Sequence, residues 1–259
     1  AHEPHHGDFQ PLCTFCVEGQ AQGSRHYSRE LTPSAKGVVA EFDYTFWSHK
    51  GFGRHLEGEA AAVSLTGYER QTGSPFATIV LRKGPVPFVT ALTSKWVKEL
   101  NQNPMVLRGD GEFSLQALLR TVQGRLREDG LEIGVEGTAR DSHQSIGGAE
   151  KYHDTLAGMV RTICGVVRHH TGLSIEPGSR LFAWVVRHAN FLNDRFHRRQ
   201  DGTTAYEVRT GMAPTVKLAM FGETVLAKIS DVNSQSKAPP RWYRGIFAGV
   251  HDAGIYNIV

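Results

Sequence analysis

Between residues 36 and 134, three β-branched segments, VVAEFDYTF, AAAVSLT and PFATIVL, follow one another across short polar breaks, and then the spacing of the apolar residues changes. PFVTALTSKWVKELNQ carries helical spacing, PMVL returns to a strand pattern, and FSLQALLRTVQGRL reads as another amphipathic helix. Strands in a row, then strand and helix in alternation, predict an α/β fold whose sheet has a hairpin-built edge.

Residues 148–170 form the most regular helix, because Leu156, Val160, Ile163 and Val167 recur at steps of four, three and four, a stripe that faces a core. A second helix, about 179–199, stacks Leu181, Val185, His188 and Leu192 on one side. Arg187, Arg195, Arg198 and Arg199 crowd its polar side and end. From 215 onward VLAKI, GIFAGV and GIYNIV, separated by DVNSQSKAPPR, predict a small β module.

The length of 259 residues allows one large domain or two smaller ones with real cores. Its 28 glycines and 11 prolines are near ordinary usage, which excludes collagen-like and wholly disordered chains. No run approaches 18 apolar residues, and AHEPHHGDFQ lacks a signal core, so the chain reads as soluble and not secreted, with no membrane partner. The start at Ala1 and the stop in GIYNIV suggest a fragment of something longer. Residues 1–149 hold 15 Lys/Arg against 17 Asp/Glu, while residues 150–259 hold 14 against 9. The second part is therefore +5 on a background of −2, a bias that permits a polyanionic partner without demonstrating one.

Three carboxylates stand out. Asp43 lies inside the first strand, where Phe42 and Tyr44 project to the opposite face, and a carboxylate on an apolar strand is costly to bury unless paired or bound to metal. Asp110 follows PMVL in RGDGEFS, between glycines that let the backbone turn at the C-terminal end of a strand, where sites gather in open α/β sheets. Glu150 opens the long helix after HQSIGGA. Singly they read as an edge-strand acid, a turn residue and a first-turn acid favoured by the helix dipole. Together they supply the hard oxygen ligands that a pair of Mg²⁺ or Mn²⁺ ions needs for phosphoryl transfer.

The order Asp43, then Asp110 in D-G-E-F, then Glu150 in Q-S-I-G-G-A-E-K, with 39 residues between the last two, resembles the D,D-35-E core of retroviral-type integrases. More closely it resembles the integrase of copia-type retrotransposon polyproteins. That family shows Q-x-N-G-x-x-E-R followed by T-L, and Gln144, Gly147, Glu150, Lys151, Thr155 and Leu156 stand at matching places. AWVVRHANFLNDRF, DGTTAYEVRTGMAP, FGETVLAKI and PRWYRGIFAGV resemble the stretch that follows the core. The resemblance implies an RNase H-like mixed sheet flanked by helices. It also implies a metal-dependent polynucleotidyl transferase that joins retroelement ends to target DNA, catalysis by Asp43, Asp110 and Glu150 on two Mg²⁺ or Mn²⁺ ions, a homo-oligomer, and an intracellular, nuclear site of action. Ile146 stands where the family has Asn, and Lys151 keeps the charge of the family Arg without its bidentate fork. A decayed DNA-binding relic and a metal-dependent nuclease on the same fold are the competing expectations.

His2, His6, Cys13 and Cys16 read as H-x3-H-x6-C-x2-C, a donor set for tetrahedral Zn²⁺, with His5 and His26 as alternative ligands. The competing reading is a polar tail with chance histidines. The resemblance adds that integrases carry an N-terminal His-His-Cys-Cys zinc module, although the gap of six is far shorter than the usual one. Cys164, within the apolar stripe, reads as a core residue.

Arg187, Arg195, Arg198 and Arg199 suit DNA phosphates or form the solvated end of a helix. Trp184 and Phe191 look like packing. Lys228, Lys237, Arg241 and Arg244 around Trp242 and Tyr243 suit contact with a DNA backbone, or make the basic rim of a β fold. Gln144 and Lys151 complete the expected DNA contacts. The expected organisation is a zinc segment over 1–30, a catalytic core with following helices over 36–200, and a basic β module over 213–259.

Overall fold

The computed structural model describes residues 6–7, 9–20, 38–137, 147–228, 242–251 and 255–259. His2, His5, His26, Gln144, Ile146, Lys237 and Arg241 lie outside them.

The segment VVAEFDYTFWS forms β1 (Val38–Ser48), an eleven-residue strand in which Ala40, Phe42, Tyr44 and Phe46 point to one face. β2 (Gly51–Phe52) folds back on its end, a 3₁₀ turn spans Arg54–Glu59, and β3 (Ala62–Glu69) and β4 (Pro75–Val80) complete the expected hairpin edge. α2 (Pro87–Glu99), β5 (Met105–Gly109), α3 (Phe113–Glu128) and β6 (Ile133–Gly137) follow. The sheet order is β4-β3-β1-β5-β6. The β1–β3 and β3–β4 pairs are antiparallel, whereas the β1–β5 and β5–β6 pairs are parallel. The result is a mixed sheet with helices on both faces.

One face carries the core shared with α2 and α3, where Phe42, Leu65, Leu107, Leu115 and Leu119 pack. The other is covered by α4 (Gly147–Thr171) and α5 (Arg180–Phe196), where Leu156, Val160, Ile163 and Val167 are all buried as their spacing requires. In α5 the stripe differs from expectation at its start. Ser179 accepts the Phe182 amide as N-cap, so Leu181 sits in an exposed first turn and Phe182 takes its place in the core. The helix also stops at Phe196, three residues early, because His197 turns extended and Arg198 forms a β-bridge with Thr204.

α1 (Thr14–Gln20) packs on α4, with Gly19 against Thr162. α6 (Ala205–Thr210) is a single capped turn in which Thr204 and Glu207 form a capping box. β7 (Thr224–Lys228), β8 (Trp242–His251) and β9 (Ile255–Ile258) make a second, antiparallel sheet. Its buried residues Phe247, Ala248 and Val250 join the core against α5. Among the described residues, no helix is long and apolar enough to cross a membrane.

Candidate functional site

Phe42 and Gly109 are the last pair of the parallel β1–β5 ladder, and each is followed by an acid. Carried one residue further, this register sets Asp43 and Asp110 abreast, about 4.8 Å apart at the backbone. Both leave the core face. Phe42 and Tyr44 enter the α2–α3 core around Asp43. A Cβ on Gly109 would lie 2.8 Å from Leu115 Cδ2, so the strand end presses on α3 there and turns Asp110 toward the opposite side. Asp110 Oδ1 accepts the Glu112 amide at 3.1 Å, and Gln116 Nε2 donates to its carbonyl at 2.7 Å, which fixes the turn.

Asp43 is only 2% exposed. Its Oδ1 accepts the Tyr44 amide at 2.8 Å. The hydroxyl of Thr66, its register partner on β3, donates to the Asp43 carbonyl at 3.0 Å. Over this pair stands His153 of α4, with Nε2 2.5 Å from Thr66 Oγ1 and Nδ1 4.0 Å from Asp43 Oδ2.

Glu41, two residues before Asp43 on the same face, is wholly buried. One carboxylate oxygen accepts the amides of Gly148 and Ala149 at 2.9 and 3.1 Å, and the other pairs with Arg70. A Cβ on Gly148 would sit 2.7 Å from the Glu41 oxygen, so glycine is what lets the helix end approach the strand. Glu150 follows in the first turn, half-buried, between the amides that bind Glu41 and the imidazole that faces Asp43. Glu41, Thr66, Arg70 and His153 were not singled out in the sequence. The signal for Glu41 was its period-two relation to Asp43, and for His153 its place three residues after Glu150.

On the other flank of Asp110, Lys83 donates to Glu57 and Glu112 at 2.5 and 3.1 Å and lies over the Phe46 ring. Burial disfavours its charge, yet the hydrogen bonds it donates to those carboxylates hold its ammonium above the ordinary lysine range.

Asp43, Asp110 and Glu150 are brought to neighbouring elements, but their oxygens are not drawn within 4.8 Å of one another. Among the described residues, that spacing is reached by His6, Cys13 and Cys16. His6 Nδ1 is 3.4 Å from Cys16 Sγ and 3.6 Å from Cys13 Sγ. Gln20 Nε2 donates to the His6 carbonyl at 3.1 Å, and Arg161 donates to the Gly19 carbonyl at 3.0 Å, which ties the cluster to α4. Burial pushes the Cys16 thiol up, and Cys13 adds to the effect. Cys164 packs within the α4–α5 core, its thiol pushed up to about 11 by burial.

Of the arginines expected on α5 and its end, Arg195 and Arg199 are engaged within the fold, whereas Arg198 is exposed. Arg195 stacks over Phe191 and Tyr206, at 4.3 and 4.7 Å, and pairs with Asp194 at 3.2 Å; burial lowers its pKa. Arg198 donates to the Gly202 carbonyl and Arg199 to the Thr72 carbonyl, both at 2.8 Å. Arg187 lines a cleft of about 330 Å³ between α2, β4, α5 and α6 with Asp194, Arg195 and Arg209. Lys151 is exposed on α4. Trp184 and Phe191 pack in the core. In the second sheet, Lys228 pairs with Trp242 and Leu226 with Arg244, and all four side chains are exposed.

No family model and no curated protein sequence matches the chain. Among solved structures it is similar to the catalytic core domain of BIV integrase, at 12% identity and a TM-score of 0.43, covering 67% of this chain and 93% of that one. It is also similar to a chain of the simian T-cell lymphotropic virus intasome in complex with PP2A regulatory subunit B56 gamma, at 11% identity and a TM-score of 0.43, covering 88% of this chain and 76% of that one.

Proposed function

We propose that the chain is an integrase-type, metal-dependent polynucleotidyl transferase of a copia-type retroelement, with Asp43, Asp110 and Glu150 as its catalytic acids. The observation that carries this reading is the register that sets Asp43 and Asp110 abreast, with the α4 end bearing Glu150 bound to the same face of β1. The mixed sheet suits the RNase H-like fold that the collinear motifs imply.

The residues fit a divalent cation. An all-carboxylate donor set suits Mg²⁺ or Mn²⁺. Bound there, two such ions would sharpen an attacking water or DNA 3′-hydroxyl and steady the leaving oxygen. The chain's own part is placement: the Asp110 turn is locked by Glu112 and Gln116, and Glu41 with Arg70 holds the first turn of α4. Lys151 offers a point charge to a phosphate beside Glu150, and the exposed Lys228, Trp242 and Arg244 face offers cations and a ring to a DNA backbone. Zn²⁺ held by His6, Cys13 and Cys16 would fasten the segment before α1 onto its first turn, and the sequence offers His2 as the fourth ligand. Joining two DNA ends calls for more than one protomer and for entry to the nucleus.

Incubation of the chain with a short duplex and Mn²⁺ should give strand-transfer product. No product, or product that survives Asp110→Asn, removes the proposal, and cutting without joining assigns a nuclease. Ile146 in place of the family Asn favours a second reading, a relic that binds duplex DNA in a salt-dependent way and joins nothing.

A further inference from the structure

The structure assigns the cleft between α2, β4, α5 and α6 a ligand of its own, a small aromatic carboxylate gripped by the guanidinium of Arg195 and the side-chain amide of Asn190. The assignment rests on neither the three acids nor a metal.

On α5, Arg187, Asn190, Phe191, Asp194 and Arg195 stand at i, i+3, i+4, i+7 and i+8, so one face of the helix makes one wall. A guanidinium carries five N–H donors in a rigid fork. Arg195 spends one on Asp194, from Nη1 at 3.2 Å, and makes no other hydrogen bond among the described residues. Its place is set all the same, because the group lies over the Phe191 and Tyr206 rings at 4.3 and 4.7 Å. None of its nitrogens is sealed in the core, so Nε and Nη2 stay open to the cleft. Asn190 adds to them. The Tyr152 hydroxyl donates to its Oδ1 at 2.6 Å, which leaves Nδ2 as a donor that is likewise not sealed in.

The α2 wall carries Trp96, which is 7% exposed and whose Nε1 is buried with no partner among the described residues. Its Cζ3 edge rests over Gly67 of β3, so the Nε1 edge is the one turned away from that strand. A buried N–H without an acceptor is costly, and a ligand oxygen at the foot of the cleft supplies one.

The walls thus offer donors and few acceptors. Lys95, Arg187, Arg195 and Arg209 line the cleft against Glu99 and Asp194, four cations against two carboxylates and a net charge of +2. A planar carboxylate matches the Arg195 fork with two parallel hydrogen bonds. The rings of Phe76, Trp96, Phe191 and Tyr206 suit an aromatic body, and a volume of about 330 Å³ lies at the small end of ligand pockets.

The test is titration of the full, ¹⁵N-labelled chain with phenylacetate, followed by nuclear magnetic resonance. Saturable shifts should map to α2 and α5 with a Kd of about 1 mM. The indole N–H of Trp96, identified by its loss in Trp96→Phe, should move downfield as it gains an acceptor. Phenethylamine, the same ring with a cation, and inorganic phosphate, an anion without a ring, should each bind about tenfold more weakly or worse. Arg195→Gln should weaken phenylacetate about tenfold or more, and so should Asn190→Asp, which keeps the acceptor for Tyr152 and turns a donor into a like charge. Arg125→Gln, exposed on α3, should leave binding unchanged. Backbone amide spectra check that each variant is folded. Absence of saturable shifts, shifts that spare the Trp96 indole, phosphate or phenethylamine binding as tightly, or affinity that survives both Arg195→Gln and Asn190→Asp each overturns the assignment.

Discussion

Glu41 Oε2 lies 2.9 Å from the amide nitrogen of Gly148, so a strand carboxylate caps the helix that carries Glu150. The same side chain neutralises Arg70, and it is wholly buried. Glu41→Gln keeps the shape but removes the negative charge that faces Arg70 and the α4 amides. Loss of one member of a buried pair costs about 3–5 kcal/mol; the partial exposure of Arg70 places this variant near the low end. Urea unfolding should show a lower midpoint, and strand transfer should fall even under conditions where the variant is fully folded. A variant as stable as wild type would show that the clamp contributes nothing.

Asp110→Asn should separate stability from metal response. The Asn side chain can still accept the Glu112 amide, so the turn persists. In chelator the variant should match the wild type to within about 0.5 kcal/mol, as expected for a substitution that keeps its local contacts. Saturating Mn²⁺ at a hundred times its dissociation constant should stabilise the wild type by about 2.7 kcal/mol and the variant by far less. Equal Mn²⁺-induced shifts in thermal unfolding would place the ion away from Asp110.

The sheet from β1 to α3 and the length of α4 were legible because the period of the apolar residues switches cleanly between two and 3.6. β6 was not, since IGVEG is short, broken by glycines and stabilised by its pairing with β5. Asp43 and Asp110 were legible as acids out of place, one within an apolar strand and one at a strand end. Glu41 was not, because its partner amide lies 107 residues further along the chain. The arginines of α5 show the same limit from the other side. Their spacing marks a polar face, but whether a guanidinium meets water or Asp194, Tyr206 and the Thr72 carbonyl depends on how α6 and the β3–β4 turn pack.

The His6, Cys13 and Cys16 cluster should bind one Zn²⁺ per chain, with an affinity that rises with pH. Burial pushes the Cys16 thiol up, so at neutral pH the proton competes with the metal. Raising the pH toward the thiol pKa removes that competition, and lowering it weakens binding and increases the number of protons released per ion. Calorimetry in two buffers of different ionisation enthalpy measures that release. Cys13→Ser should lose the ion and loosen α1 from α4, seen as faster amide exchange over Thr14–Gln20.

Basic residues should divide into two classes by their packing. Arg209 forks onto Asp194 at 2.9 and 3.1 Å and reaches Ser74 at 2.5 Å, while Arg195 is wedged between Phe191 and Tyr206. Arg209→Ala leaves Asp194 buried and short of a partner, and should cost about 3 kcal/mol of stability. Lys228 and Arg244, exposed on the second sheet, make no comparable contact among the described residues, and their alanine variants should stay within about 0.5 kcal/mol of the wild type. If that sheet lies on DNA, each should instead reduce the slope of log affinity against log salt by about one. Fluorescence anisotropy with a duplex at several salt concentrations reads that slope directly. An unchanged slope in the Lys228→Ala and Arg244→Ala double variant would remove the sheet from the DNA interface.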